Sequence, residues 1–387
     1  MNKTIGIDTS LLDSGGGLTH IIEILDNIDF KRESGIRVII WGKPSILNSI
    51  KNKEWIIKSP QSLVSKGYFF IVIWKIFCVP ILARKSRVNI ILDPSGMPCF
   101  FKPYVSISQN MLPFKFKEIK KYGLSKNFIR FIAIRYLQSY ALHNASGVIF
   151  PSNYSKIEVL KVIGKINAEI ETIPHGVNHS LRLIPTKDDK RFNLNDREIN
   201  LIYVSRIDMY KNHHKIIEAI YRLRILGFNI KLNLVGDNYQ ESRDRLNLYV
   251  HRYDPKKEWI VFYGLVDYDK MKFLYKISDI GIIASTCETF CIPLLEKMSA
   301  GLPIACSNLS PMKDILSDSG FYFNPDETNE IANTIKYMIE NKDITFKNAY
   351  SNYIKSLNYS WGRCSQRTFS FVKKNIINND KVKIKRI

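Results

Sequence analysis

The sequence lacks the patterns that mark several classes of protein. Its six cysteines are scattered and form no C-x-x-C pair, which argues against a clustered zinc site and against a disulfide framework. We therefore expect buried free thiols in a reducing cytosol. No Ser/His/Asp or Cys/His arrangement stands out as a nucleophilic centre. The cysteines are Cys78, Cys99, Cys287, Cys291, Cys306 and Cys364.

Long apolar runs are also missing. The longest covers residues 68–82, is interrupted by Lys75 and ends near Pro80. It is shorter than the ~20 residues that span a bilayer, so we interpret it as a buried helix, with a membrane-dipping helix as the alternative. The first residues, MNKTIGIDTS, have no signal-peptide layout. We expect a cytoplasmic protein, peripheral on the inner face of the plasma membrane if it contacts a membrane.

Acidic residues are scarce relative to basic ones. The 387 residues include 57 Lys+Arg and 36 Asp+Glu, a formal net charge of +21. Such a surplus favours phosphates, nucleic acid or anionic lipid as partners, although coding bias explains it equally well. Hydrophobic residues make up 45% of the chain, enough for the cores of two α/β domains.

Two series of short apolar segments predict two parallel sheets with helices between the strands. This alternation is typical of sheets covered on both faces. We predict an α/β fold: two Rossmann-like, doubly wound domains that face a central cleft and bind ligands at the carboxyl ends of their strands. The first series is 5–8, 37–40, 89–93, 104–108, 147–152 and 170–174, and the second is 201–205, 230–236, 259–264, 279–285, 302–307 and 321–323. Helices in the second half are expected at 212–226, 267–277, 293–300 and 328–340.

The domain boundaries follow from a polar, charged stretch at 186–200, which we interpret as a linker. The predicted N-terminal domain is 1–185. The predicted C-terminal domain is 201–365, and 366–387 forms a C-terminal helix and basic tail.

Three glycines, Gly15, Gly16 and Gly17, follow the first strand and precede a helix. Glycine lets backbone amides approach a phosphate closely, and a helix N-terminus adds a partial positive charge. The spacing is not G-x-G-x-x-G, so the dinucleotide fingerprint is absent. A phosphate-binding loop and a flexible turn both remain open.

Two cations, Arg206 and Lys211, follow the first strand of the second series. A leaving diphosphate needs cations to neutralise its growing charge, and an Arg fork with a Lys point charge suits this task. Solvated surface cations near a turn are the alternative.

The strongest pattern is CETFCIPLLEKMSAGLPIACSN at 287–308. Glu288 is predicted on the loop after a buried strand, where a carboxylate can accept from a sugar hydroxyl. Glu296 falls about one turn into the following helix, which Pro293 begins, and can clasp a ribose diol. Acids that favour the helix dipole are the alternative. The amides that can receive a phosphate near the helix N-terminus are those from Phe290 to Ile292, including Cys291.

This segment resembles the E-x7-E signature of the large retaining glycosyltransferase family 4, roughly E-x-F-G-x-P-x-x-E-A-M-A-x-G-x-P. The matching residues are Glu288, Phe290, Pro293, Glu296, Met298, Gly301 and Pro303. Similar segments elsewhere are the Gly-rich loop, 148–156, 173–178, 205–212, 234–237 and 358–361. The resemblance implies that Glu288 contacts the donor sugar and Glu296 the ribose. It also implies that Arg206 and Lys211 hold the diphosphate, with Gly16 beside it.

The sequence departs from the family at three places. Cys291 stands where Gly is usual, so we expect a backbone that avoids positive φ there. Gln109 and Asn110 are the nearest match to a His that often contacts the donor sugar. His175 stands where Asn is frequent and is interpreted as a loop residue near the domain junction. The candidate catalytic residues are Arg206, Lys211 and Glu288, and the candidate substrate-binding residues are Gly16, Gly17, Gln109, Asn110, His175, Phe290, Cys291, Ile292 and Glu296.

The resemblance implies the GT-B fold, with the acceptor bound by the Rossmann-like domain 1–185 and the nucleotide sugar by the Rossmann-like domain 201–365. By this resemblance the chain is expected to be a hexosyltransferase. It would move a mannose- or rhamnose-type hexose from a nucleotide diphosphate sugar to a glycan or polyprenyl-diphosphate-linked acceptor of a surface polysaccharide, such as O-antigen or capsule. No D-x-D motif is placed to hold a metal, so we expect no cofactor and no metal requirement. The alternatives are a nucleotide-sugar epimerase and a basic nucleic-acid-binding protein. No C2H2 or RNP-like motif supports the latter, so no nucleic-acid partner is expected.

Residues 113–140 interleave lysines and arginines with aromatic residues. A basic, aromatic amphipathic helix can lie on anionic lipid, which makes an anionic membrane surface a further expected partner. An ordinary helix with a wet basic face is the alternative.

Overall fold

The computed structural model describes residues 3–29, 35–194, 197–236 and 240–384, and it divides the chain into two compact units. Unit 1 combines Met1–His175 with Trp361–Ile387, and unit 2 is Gly176–Ser360. These boundaries differ from those predicted from the sequence, which were 185, 201 and 365. The chain enters unit 2 ten residues earlier than expected, and the whole C-terminal helix belongs to unit 1.

Unit 1 is built on a parallel sheet. In the described residues its strands run in the order β3-β2-β1-β4-β5-β6-β7. They are β1 (Lys3–Asp8), β2 (Ile36–Gly42), β3 (Ile56–Pro60), β4 (Ile90–Asp93), β5 (Tyr104–Ile107), β6 (Gly147–Phe150) and β7 (Glu169–Thr172). The helices between them are α1 (Gly16–Asp26), α2 (Pro44–Asn48), α3 (Tyr68–Ile73), α4 (Val79–Lys85), α5 (Phe116–Lys120), α6 (Lys126–Asn144) and α7 (Asn153–Ile163). The neighbours β1 and β4 mark the point where the strand order reverses, which is where open α/β sheets bind ligands.

The apolar run at 68–82 is helical, but our interpretation of it as a buried helix is wrong. A π-helical turn, Trp74–Cys78, joins α3 to α4. Ile71, Trp74 and Val79 are buried, whereas Phe69 and Phe77 are 71% and 60% exposed. A helix lying on a sheet buries only one face, so a continuous apolar run also places hydrophobic side chains on the face that meets water.

Unit 2 has a second parallel sheet, with the described strands in the order β10-β9-β8-β11-β12-β13. The strands are β8 (Ile199–Val204), β9 (Ile230–Val235), β10 (Ile260–Gly264), β11 (Ile280–Ile283), β12 (Ile304–Ser307) and β13 (Phe321–Phe323). The helices are α8 (His213–Ile225), α9 (Gln240–Tyr253), α10 (Tyr268–Ile277), α11 (Ile292–Ser299), α12 (Met312–Leu316), α13 (Thr328–Glu340) and α14 (Lys342–Ser356). All twelve strand segments predicted from the sequence are confirmed to within a few residues. Strand β3 was not predicted, because it is half-buried and carries Lys58 and Ser59 in its middle.

The stretch 186–200 is not a free linker where it is described. It contains a 3-10 turn, Lys190–Phe192, and β8 already begins at Ile199. Phe192 and Leu194 are buried, and the Arg191 guanidinium donates to the carbonyl of Ala300 at 2.8 Å. The few apolar side chains in this stretch anchor it to unit 2.

The last helix, α15 (Trp361–Ile384), completes unit 1. It packs on α1 and on strands β4 and β6. Ser365 Oγ donates to the carbonyl of Ile24 at 2.6 Å. Gly147 lets the helix approach β6 closely, since a Cβ there would lie 2.8 Å from atoms of both Phe371 and Asn375. Residues 385–387 of the predicted basic tail lie outside the described residues.

The basic segment 113–140 is not one amphipathic helix. Lys115–Tyr122 contains the short α5, and Ser125 then caps α6 by accepting from the amide of Phe128. Phe114 and Phe131 are buried, so part of the aromatic pattern belongs to the core. Within the described residues, none of the helices combines the length and the apolar character needed to cross a bilayer.

Candidate functional site

The centre of the candidate site is an ion pair between Lys211 and Glu288 in unit 2. Lys211 ends a 3-10 turn just after β8, and Asp208 caps that turn by accepting from the amide of Met209 at 2.7 Å. Glu288 lies on the loop after β11, the strand next to β8. Neighbouring parallel strands end at the same edge of the sheet, so residues 77 positions apart in sequence meet there.

The two loops that carry this pair are joined by further hydrogen bonds. The Thr286 amide donates to the carbonyl of Tyr210 at 2.8 Å. The buried Tyr203 hydroxyl donates to the carbonyl of Lys211 at 2.7 Å and lies 3.3 Å from Ser285 Oγ. Sequence reasoning missed these supporting residues, because a side chain that bonds to a backbone carbonyl leaves no spacing pattern.

The ion pair is largely removed from water. The side chains of Lys211 and Glu288 are only 12% and 14% exposed. Burial alone would lower the pKa of Lys211, but the Glu288 carboxylate and the nearby tyrosines raise it well above its ordinary value. Lys211 is therefore a cation at every physiological pH. A charge held in a poorly hydrated place acts on a bound anion more strongly than one on the surface.

The loop from Glu288 to α11 has the strained backbone that we expected it to avoid. Cys291 adopts φ +79° and ψ +74° in the left-handed region, and it precedes the first residue of α11, Ile292. The expectation of a negative φ at Cys291 is wrong, because the loop geometry, and not the residue type, sets the conformation here. Strain of this kind persists only where the surroundings fix it, and it concentrates at functional sites. Burial also raises the pKa of the Cys291 thiol to about 12, so the thiol is protonated.

Helix α11 begins and ends as the sequence predicted. Pro293 lies in its first turn, and Gly301 follows its end with φ +64°. Glu296 is inside the helix and Glu288 outside it, as expected. Phe290 is buried, with its ring 5.8 Å from that of Tyr359.

Glu296 has a partner that the sequence did not suggest. Its Oε2 accepts from the Tyr275 hydroxyl of α10 at 2.8 Å. Burial raises the pKa of Glu296, and the hydrogen bond from Tyr275 only partly opposes this.

Arg206 lies two residues beyond β8 and is half-buried. The backbone beside it is closely packed, because a Cβ on Gly236 would lie 2.2 Å from the carbonyl oxygen of Ser205. Gly236 has φ +140°, and only glycine fits both the angle and the contact. Asp237, the last residue of the LVGD turn, lies outside the described residues.

The candidate residues of unit 1 gather around a histidine that we did not single out. Gly16 and Gly17 begin α1, and His20 follows one turn later. The side chain of Gln109 lies beside Gly17, and its amide is 2.9 Å from His20 Nδ1. The His175 ring is 4.6 Å from the His20 ring, centroid to centroid. Asn110, next to Gln109, accepts from the Leu112 amide at 3.3 Å.

A second buried group of charges lies where β1 and β4 end. Lys75, from the π-helical turn, contacts Asp8 at 3.0 Å and Asp93 at 3.1 Å. Trp74 Nε1 also donates to Asp8 at 3.1 Å. The two carboxylates raise the pKa of Lys75, although burial acts the other way. A lysine that breaks an apolar run was the only sequence signal for this group.

Comparison with known proteins shows which proteins this chain resembles. Residues 185–356 match the family model described as glycosyl transferases group 1. The O-antigen chain mannosyltransferase B of Escherichia coli is 22% identical over 172 residues, 44% of this chain and 45% of that protein. The lipopolysaccharide 1,2-N-acetylglucosaminetransferase of Salmonella typhimurium is 28% identical over 246 residues, 58% of this chain and 64% of that protein. The chain thus aligns with about half to two thirds of the length of these curated relatives.

The solved structures agree over nearly the whole chain. The sucrose-phosphate synthase of Thermosynechococcus elongatus superimposes with a TM-score of 0.78 at 17% identity, covering 96% of this chain and 98% of that one. Anabaena HepE, solved with UDP-glucose, has a TM-score of 0.71 at 16% identity, covering 96% and 99%. With its two parallel α/β sheets, the chain has the GT-B fold.

Proposed function

We propose that the protein is a retaining glycosyltransferase of the family 4 type. It transfers a hexose, of the mannose or rhamnose type, from a nucleotide diphosphate sugar to a glycan or polyprenyl-diphosphate-linked acceptor. The relatives that carry O-antigen and lipopolysaccharide names favour surface polysaccharide synthesis as the cellular role. HepE, with a UDP-sugar in its structure, favours a nucleotide sugar as the donor.

The observation that carries this proposal is the Lys211–Glu288 pair at the carboxyl edge of the unit 2 sheet. A buried cation beside a carboxylate suits a ligand that has both anionic and hydroxyl groups. The donor diphosphate would approach Lys211, and a sugar hydroxyl would donate to Glu288. Arg206, on the same loop as Lys211, would supply a second cation for the diphosphate.

In the reaction, the bond between the anomeric carbon and the β-phosphate oxygen breaks, and the acceptor oxygen forms a bond on the same face of the sugar. The acceptor proton passes to a phosphate oxygen of the leaving group. Negative charge grows on that leaving group, so a cation already held in place stabilises the transition state more than the ground state. No protein nucleophile is needed.

The test is a comparison of initial rates for Arg206→Ala, Lys211→Ala and Lys272→Ala with labelled donors. Lys272 is an exposed lysine of unit 2, which makes it the matched control. Loss of one such electrostatic contact should lower kcat ~100- to 1,000-fold at each of the first two positions and leave the control unchanged. Near-normal turnover in both variants would remove the assignment.

Two further arms separate the alternatives. Conversion of labelled donor without any acceptor would indicate an epimerase. Loss of turnover on EDTA treatment, restored by Mn²⁺ or Mg²⁺, would contradict the expected metal independence. Thermal-shift screening against GDP, UDP and TDP sugars identifies the donor, because a ligand raises apparent stability by mass action.

We further propose that unit 1 docks on an anionic membrane, where a lipid-linked acceptor is presented. Five large apolar side chains of α3, the π-helical turn and α4 are more than a third exposed, and we name this surface the 68–81 face. It consists of Tyr68, Phe69, Val72, Phe77 and Ile81. Exposed cations flank it at Lys66, Arg84 and Lys85. Apolar side chains bordered by cations are complementary to lipid with anionic headgroups.

Helix α6 supports the same surface. The connections β3–α3–α4–β4 and β5–α5–α6–β6 both advance towards β7 in the sheet. Right-handed crossovers advancing in one direction place their helices on one face of a sheet. Helices α5 and α6 therefore lie on the same side of the sheet as the 68–81 face. Their exposed cations include Lys117, Lys126 and Arg130.

Vesicle co-sedimentation tests this docking with the double variant Phe69→Asn/Phe77→Asn. The matched control is Leu248→Asn/Leu265→Asn, which removes two exposed apolar side chains from unit 2. Because a fully buried Phe contributes ~1.5–3 kcal/mol, the first pair should weaken binding to anionic vesicles at least about tenfold. Equal binding to neutral and anionic vesicles would contradict the proposal. So would an equal loss of vesicle binding in the two double variants.

A further inference from the structure

Three residues with metal-ligating side chains meet in the core of unit 1. They are His20 on α1, His175 beyond β7 and Cys364 in the first turn of α15. Each can offer one ligand atom such that the three atoms lie within 4.8 Å of one another. The three residues are 2%, 4% and 2% exposed. They come from parts of the chain up to 344 positions apart, so their meeting is a property of the fold.

The best-defined distance fits coordination to a common ion. His20 Nε2 and Cys364 Sγ are 3.6 Å apart. In a tetrahedral zinc site, Zn–N bonds of ~2.0–2.1 Å and a Zn–S bond of ~2.3 Å separate the two ligand atoms by about 3.5 Å. Two imidazoles and one thiolate form a donor set that selects soft and borderline metal ions over Mg²⁺ or Ca²⁺.

The surroundings orient the ligands. The Gln109 side-chain amide lies 2.9 Å from His20 Nδ1, and His20 Nε2 faces Cys364 Sγ. With the amide turned so that its oxygen accepts from Nδ1–H, Nε2 carries no proton and can bind the ion, in the same way that ligating histidines usually donate their second N–H to an oxygen. The Trp361 ring lies 5.9 Å from the His20 ring and 5.8 Å from the His175 ring, and it helps to exclude water.

We propose that His20, His175 and Cys364 bind one thiophilic d10 metal ion, Zn²⁺ or Cu⁺. The site is structural: the ion takes no part in the sugar transfer, whose proposed cations lie in unit 2, although the metal site adjoins Gly17 and Gln109, two candidate substrate-binding residues of unit 1. His175 is the last residue of unit 1 before the chain enters unit 2, and Trp361 is the first after it returns. A bound ion ties both of these points to α1.

The experiment uses the full chain, freed of metal by a chelator and kept reduced. Titration with Co²⁺, a spectroscopic substitute for Zn²⁺, should give a thiolate-to-cobalt charge-transfer band that saturates at one equivalent. Zn²⁺ should abolish this band by displacement. Cu⁺, added under reducing conditions in competition with a chelator of known affinity, distinguishes the two ions. The ion that displaces Co²⁺ at the lower concentration is the native candidate.

Variants assign the ligands. Cys364→Ser should lose the charge-transfer band, and Cys78→Ser, at a half-buried cysteine of unit 1, should keep it. His175→Asn should lower Co²⁺ affinity at least tenfold, and Gln109→Leu about 10- to 100-fold. Circular dichroism without metal checks that each variant folds. If Cys364→Ser is unfolded, the affinity of His175→Asn decides the test.

Absence of a charge-transfer band in the folded wild-type protein overturns the proposal, and the three residues then form a neutral hydrogen-bonded cluster. A band that is unchanged in folded Cys364→Ser or in folded His175→Asn overturns it as well.

Discussion

Removing the lysine of the Lys211–Glu288 pair should separate its effect on stability from its effect on chemistry. In Lys211→Met, the Glu288 carboxylate keeps its place but loses its cation. Breaking a fully buried pair costs ~3–5 kcal/mol, and because these side chains keep 12–14% exposure we expect about 2–3 kcal/mol. In the double variant Lys211→Met/Glu288→Leu, no unpaired charge remains. Its free energy of unfolding should return to within ~1 kcal/mol of wild type.

Activity should not return with stability. Both variants lack the cation that would face the leaving diphosphate in the proposed mechanism, so both should turn over ~100- to 1,000-fold more slowly. Urea-induced unfolding followed by circular dichroism measures the first quantity, and initial rates with labelled donor measure the second. A double variant that recovers turnover together with stability would refute the reasoning, because the pair would then be structural only.

Three other predictions concern unit 2. Gly236→Ala should destabilise the protein by at least ~2 kcal/mol more than Gly227→Ala. Both positions have positive φ, but only Gly236 has a backbone oxygen 2.2 Å from the new Cβ. Urea unfolding of the two variants measures the difference. Burial raises the pKa of Glu296, so its charge costs stability at neutral pH. Glu296→Gln should therefore raise the free energy of unfolding at neutral pH. Below the ordinary pKa range of Glu this gain should disappear, and thermal unfolding at several pH values measures it. Burial lowers the pKa of His213 to about 3, so the unfolded chain takes up its proton first and stability falls as pH drops from about 6 to 3. His213→Asn should reduce that slope by ~1.4 kcal/mol per pH unit in urea titrations, and an unchanged slope would contradict the assignment.

The features that the sequence predicted well are those that local patterns determine. Strands in both sheets follow apolar runs bounded by turn residues, and helix α11 follows from Pro293 and Gly301. Placing Glu288 on a loop and Glu296 on a helix needed nothing beyond this spacing. The proximity of Lys211 and Glu288 could also be predicted, because neighbouring strands of a doubly wound sheet end at the same edge.

Features that depend on distant parts of the chain were not predictable. Nothing near Trp361 indicates that the last helix returns to the first sheet, and the positions that receive it lie as far apart as the Ile24 carbonyl and Gly147. The exposure of Phe69 and Phe77 depends on which face of their helix meets the sheet. At Cys291, residue type argued for negative φ, but the loop between β11 and α11 imposes the opposite sign.

The split composition of unit 1 has a consequence for synthesis on the ribosome. Its sheet is translated before unit 2, yet the helix that covers β4 and β6 is translated after unit 2. Unit 2 is one continuous segment and can finish folding while the chain is still growing. The sheet of unit 1 keeps an apolar surface uncovered until α15 has been made, so a truncation before residue 361 should damage a unit that was synthesised before unit 2.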